Sequence, residues 1–166
     1  MQAYRKCRCM MRLHHIGYVV RSIEKSVDSY GRSFESRSSS PIVHDPIQRV
    51  RVAFLFPGSE CGTLIELIEP AHERSPVSRF LARGGGIHHV CYEVADLEGA
   101  LWSVRSTGAV IVQAPLSATA FGDRRIAWVF TKDGALIEYL EGNPKLLPGL
   151  SDGEELTTVS PSELPS

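Results

Sequence analysis

The chain has no excess charge of either sign, no paired cysteines and no long apolar run, and each absence narrows what it can be. Eighteen Lys and Arg stand against nineteen Asp and Glu, a formal charge of −1, so bulk electrostatics favour neither nucleic acid nor an anionic membrane as a partner. The four cysteines, Cys7, Cys9, Cys61 and Cys91, form no CxxC pair, and two of them crowd a basic N-terminus. That spacing argues against a disulfide framework or a zinc knuckle and fits a reducing compartment. Met1 to Arg12 holds cationic residues but no apolar stretch long enough for a signal sequence, and nothing later reaches the length of a membrane span. A cytoplasmic location is therefore expected. The 43% of apolar residues is enough for a sizeable core in one domain, or in two very small ones.

What is present is a repeat, and a repeat decides the fold before any single motif does. Leu13-His14-His15-Ile16-Gly17-Tyr18-Val19-Val20 can be laid on Ile87-His88-His89-Val90-Cys91-Tyr92-Glu93-Val94 at an offset of 74 residues. Each strand-like block runs into a helix signal. Ser22 is an N-cap before Ile23, Val27, Tyr30 and Phe34, and Asp96 is one before Leu97, Leu101 and Val104. A second pair, Gly62 to Glu69 and Gly134 to Glu141, matches at an offset of 72. Further strand-like runs lie at Arg49 to Phe56 and Arg125 to Thr131, with shorter strands expected near Ile42 and Val110.

Each half thus reads β-α-β-β-β. The expected organisation is a flexible extension over 1–11, a first module over 12–70, a linker over 71–85 with a short helix and the Gly84-Gly85-Gly86 hinge, a second module over 86–142, and a disordered tail over 143–166. The fold class is α+β: two tandem βαβββ modules forming an open, barrel-like mixed sheet of eight strands around a concave site, helices outside.

The repeat also selects chemistry. Adjacent strand residues point to opposite faces, so only one His of each pair is expected to look inward. Glu66 and Glu138 sit among Leu and Ile, where an ionised carboxylate costs several kcal/mol unless paired or bound to a cation. One such residue alone reads as a satisfied core His or an edge Glu facing water; four at repeated positions read as a divalent metal site. Imidazole and carboxylate donors suit Co, Mn, Ni, Zn or Fe. His44 and His72 have no repeat partner and are expected at the surface.

These blocks resemble the vicinal oxygen chelate superfamily, and within it most closely the methylmalonyl-CoA epimerases, over about residues 12–142. The segments that carry the likeness are Leu13 to Gly17, Arg51 to Leu55, Leu64 to Pro70, Gly86 to Val90 and Gly134 to Glu138. The resemblance implies metal ligands at His15, Glu66, His89 and Glu138, the second His of each pair. It also implies an ion that chelates substrate oxygens and stabilises an enolate-like species, and a small carbonyl or acyl-CoA substrate; a homodimer is the assembly it suggests.

There is one departure. Epimerases carry a catalytic Glu before a Gln-Gly-Val segment, and here that stretch reads Asp45-Pro46-Ile47-Gln48-Arg49-Val50, with Ile47 where the base is expected. Glu138, Glu93 and Asp45 remain as candidate catalytic carboxylates. Arg124, Arg125 and Phe121, in a loop similar to one of these proteins, are candidate substrate contacts. The alternatives to an epimerase are a glyoxalase-I-type lyase acting on a thiol adduct and a bleomycin-resistance-like binder of small molecules. An extradiol oxygenase, with two His and one carboxylate, is argued against by Glu66 as a fourth ligand.

Overall fold

The computed structural model describes residues 11–57 and 63–142. The N-terminal extension up to residue 10 and the tail over 143–166 lie outside them. The elements are β1 (Met11–Val19), α1 (Ile23–Ser33), β2 (Ser36–Ser39), β3 (Val43–Asp45), β4 (Val50–Pro57), β5 (Leu64–Pro70), α2 (Ser78–Ala82), β6 (Gly86–Val94), α3 (Leu97–Arg105), β7 (Val110–Ser117), β8 (Arg125–Phe130) and β9 (Leu136–Glu141). The strand order is β2-β4-β5-β1-β6-β9-β8-β7. In each half the first strand pairs in parallel with the last, β1 with β5 and β6 with β9, and the halves meet where β1 runs antiparallel to β6. The sheet is mixed and open, with one βαβββ unit on either side of that seam.

The ninth described strand is β3, which pairs with β4 beside β2. One edge strand was expected near Ile42. Pro41, which has no N–H to give the ladder, interrupts it. Ser40 bridges the gap: its N–H donates to Phe54 O at 2.8 Å and its Oγ accepts from Phe54 N at 2.9 Å.

Helices α1 and α3 start where the N-cap residues stand. Ser22 Oγ accepts from Lys25 N, and Asp96 Oδ1 accepts from Gly99 N at 2.9 Å. Helix α1 packs Ile23, Val27 and Tyr30 against Ala53, Leu55, Ile65 and Leu67. Helix α3 packs Leu97 and Leu101 against Ala127 and Val129. The alternate strand residues face the other way, where Val52, Phe54 and Ile68 form one cluster and Cys91, Ile126 and Leu140 another. Burial on both faces is why β4 reads as an almost unbroken apolar run. Glu66 and Glu138 fall on this second face, away from the helices. No helix among the described residues is long and apolar enough to cross a membrane.

Candidate metal centre

His15, Glu66, His89 and Glu138 come from β1, β5, β6 and β9, the four central strands, and each is 5% exposed or less. Their donor atoms converge. His15 Nε2 lies 3.0 Å from His89 Nε2, 3.3 Å from Glu66 Oε2 and 3.1 Å from Glu138 Oε2; His89 Nε2 lies 3.4 and 3.6 Å from the same two oxygens. Donors about 2.1 Å from a common ion stand about 3 Å apart when adjacent, so these spacings suit one centre. Glu138 Oε2 makes a further point. It is fully buried and, among the described residues, has no hydrogen-bond partner, with His15 Nε2 3.1 Å away. A buried carboxylate oxygen with no donor fits a cation.

The electrostatics agree with the geometry. Burial alone would lower the His15 imidazole, but the charges of Glu66 and Glu138 outweigh it and raise it to about 9. Burial would raise Glu138, yet the two imidazoles hold it well below the ordinary carboxylate range. The site therefore draws positive charge into a buried pocket.

The expectation that the first His of each pair turns away fails for a specific reason. The β1–β6 register slips between Leu13 and His15 and slips back between Gly17 and Tyr18, which leaves His14 and His88 as the extra residue of two bulges. Each bulge swings the first imidazole beside the second. His14 Nδ1 is 2.9 Å from His15 Nδ1, and His88 Nδ1 is 3.1 Å from His89 Nδ1. Burial, and then the neighbouring imidazole, lower both His14 and His88 to about 4. Gly17, register partner of His89, is needed for clearance: a Cβ there would lie 2.8 Å from His89 Nε2 and closer still to Nδ1.

A cavity of about 330 Å³ opens over this cluster, lined in part by Glu66, His88, His89, Glu138, Phe121 and Trp128. Beside the cluster the aromatic side chains repeat as the donors do. Phe54 is the register partner of Glu66 and sets its ring edge-on to His15, with centroids 5.7 Å apart. Trp128, 74 residues on, partners Glu138 and sits edge-on to His89 at 4.6 Å. Sequence reasoning missed this pair, although the offset already present in the His blocks relates them.

The remaining candidates are placed differently. Phe121 lines the cavity and stacks on His15 with centroids 5.6 Å apart. Asp45 lines it too, but its carboxylate accepts three backbone N–H groups, from Ile47 and Gln48 at one oxygen and Thr119 at the other. Glu93 is buried between Arg12 and Arg124, at 2.6 Å from each, and is not part of the lining. Arg124 is occupied by Glu93 and by the Phe121 and Glu141 carbonyls. Arg125 is drawn to Glu141 and Glu98, and neither arginine lines the cavity. Ile47 does line it, half exposed, and so does Arg49, with φ of 59°. His44 and His72 are exposed.

Two fused βαβββ halves that bring an imidazole and a carboxylate each to one buried centre define a paired-module protein with a candidate metal cleft. Residues 14–128 match the model of the glyoxalase/bleomycin resistance protein/dioxygenase superfamily, and the chain belongs to that superfamily. It is 30% identical over 131 residues to the ethylmalonyl-CoA/methylmalonyl-CoA epimerase of Cereibacter sphaeroides, covering 76% of this chain and 95% of that one. Among solved structures, methylmalonyl-CoA epimerase from Mycobacterium tuberculosis superposes with a TM-score of 0.64 at 33% identity, covering 81% of this chain and 89% of that one. The Streptomyces coelicolor epimerase in complex with 2-nitronate-propionyl-CoA does so at 0.63 and 27%, covering 79% and 96%. With these relatives the chain is an enzyme of the vicinal oxygen chelate type.

Proposed function

We propose that the protein is a divalent-metal-dependent isomerase or epimerase that moves the proton next to the thioester carbonyl of an acyl-CoA. The observation that carries this reading is the convergence of four buried donors, one of them a carboxylate oxygen with no hydrogen-bond partner among the described residues, three of which, Glu66, His89 and Glu138, line a cavity. The likeness to acyl-CoA epimerases supplies the substrate class.

His15, Glu66, His89 and Glu138 would hold the ion, and the donor set suits Co, Mn, Ni, Zn or Fe. Bound there, it would polarise the substrate carbonyl as a Lewis acid. The apolar walls, among them Phe121, Trp128, Val52 and Ile126, exclude water and hold the acyl group against the centre. Glu138 is the carboxylate we assign to proton transfer. Its second partner on the opposite face is not supplied by Ile47. The engagement of Asp45 with three N–H groups and of Glu93 with two arginines supports anchoring roles for both.

Uptake of solvent deuterium at the substrate α-carbon tests the reading. Cobalt-loaded protein incubated with methylmalonyl-CoA in deuterated water is expected to incorporate one deuteron, with loss of at least about a hundredfold in rate for Glu138→Gln. No exchange from a metal-loaded protein, with turnover of a glutathione hemithioacetal instead, would point to the glyoxalase-type lyase. A protein that neither binds metal nor exchanges protons would be a small-molecule binder.

A further inference from the structure

We propose that His14 and His88 are positioning residues, each accepting the Nδ1–H of the ligand histidine that follows it and so holding that ring with Nε2 toward the centre. This rests on the metal reading above. A ligand imidazole bound through Nε2 carries its one proton on Nδ1, and that proton needs an acceptor that fixes both tautomer and ring orientation. Here the acceptor within reach is the ring of the preceding residue, at 2.9 Å for the His14–His15 pair and 3.1 Å for the His88–His89 pair.

An unbroken strand would place neighbouring side chains on opposite faces and forbid this contact. The two bulges permit it, one in each half at equivalent positions. The supporting rings are themselves packed, His14 edge-on to Phe121 at 5.7 Å and His88 edge-on to Phe80 at 4.9 Å and Trp128 at 6.1 Å. The same device thus occurs twice, built from different neighbours. With Nδ1 accepting, His14 and His88 each carry their own proton on Nε2, and His88 lines the cavity.

The test replaces each supporting ring by Asn, whose Oδ1 stands about where Nδ1 stood, and by Leu, which fills the space without an acceptor. Zinc is titrated calorimetrically into the full-length protein, and the histidine ring nitrogens of the zinc-loaded wild type are read by ¹⁵N NMR. His14→Leu and His88→Leu are each expected to weaken zinc binding at least about tenfold, while the Asn variants stay close to wild type. The NMR spectrum is expected to show His15 and His89 protonated at Nδ1. Leu variants that bind as tightly as wild type, or Asn and Leu variants weakened alike, would overturn the inference, as would protonation of His15 and His89 at Nε2. Should a Leu variant fail to fold, the wild-type tautomers still decide it. If the wild type takes up no zinc, the metal reading falls and this inference with it; tight wild-type binding that the Leu variants share removes this inference alone.

Discussion

A single methyl group at position 17 is the smallest change expected to dismantle the site. Any Cβ there runs into the His89 ring, which also packs edge-on to Trp128. Gly17→Ala is expected to lower cobalt affinity at least about tenfold, a displacement comparable to losing a ligand's supporting contact; titration of the folded variant measures it. Arg49 offers the opposite case. It holds φ of 59° with a side chain, where Gly adopts that conformation freely. Arg49→Gly is expected to raise stability in urea by about 1 kcal/mol, and a midpoint that falls would contradict the strain assigned here. The convergence of four donors was legible in the sequence because a carboxylate set among apolar neighbours needs a partner to offset its burial, and near-constant offsets pair Glu66 with Glu138 and His15 with His89. The clearance at Gly17 was not, since it depends on which ring lies across the seam.

Among the elements, the bulged β1–β6 seam is where strand periodicity misleads. Alternation separates faces correctly along β4, β5, β8 and β9, but one extra residue in each seam strand resets it, and nothing in the pair of adjacent histidines signals that reset. The interruption of the first edge strand at Pro41 could be inferred; the bulges could not. The same seam is tied at its β1 start by Arg12 to Glu93, and Glu93 in turn reaches Arg124 at the head of β8. Burial alone would raise the Glu93 carboxyl, but the two guanidinium groups outweigh it and hold it below its ordinary value. A group depressed in the folded state adds stability above its unfolded value, near pH 4, and loses that contribution as pH falls through the folded value. Glu93→Gln is therefore expected to cost about 1–3 kcal/mol in urea unfolding at pH 7. The gap between wild type and variant is expected to shrink below about pH 4; a gap constant down to about pH 3 would sever Glu93 from the acid limb.

On the scale of the whole molecule, the two halves present equivalent faces to each other, and the donors meet at their common axis. That is why the repeat predicted the architecture and which polar residues converge: two helix-covered half-sheets leave one shared concavity, and polar residues repeated on that face meet in it. The substrate-facing details were harder to foresee. Arg124 and Arg125 read as free cations beside a loop, yet each is absorbed by a carboxylate that only the folded sheet brings near. An ion held by both halves would also link binding to global stability. Saturation at about a hundredfold above the dissociation constant is worth about 2.7 kcal/mol, which is about 5–10 °C in melting temperature for a chain of this size.

The most direct test of the shared centre is calorimetric titration of cobalt into metal-stripped protein, repeated with His15, Glu66, His89 and Glu138 each changed to Ala and with His44→Ala as an exposed control. One ion per chain, weakened at least about tenfold by each of the four and unaffected by His44→Ala, is the predicted result. Binding that survives any of the four substitutions at full affinity, or a wild type that takes up no ion, would contradict the account.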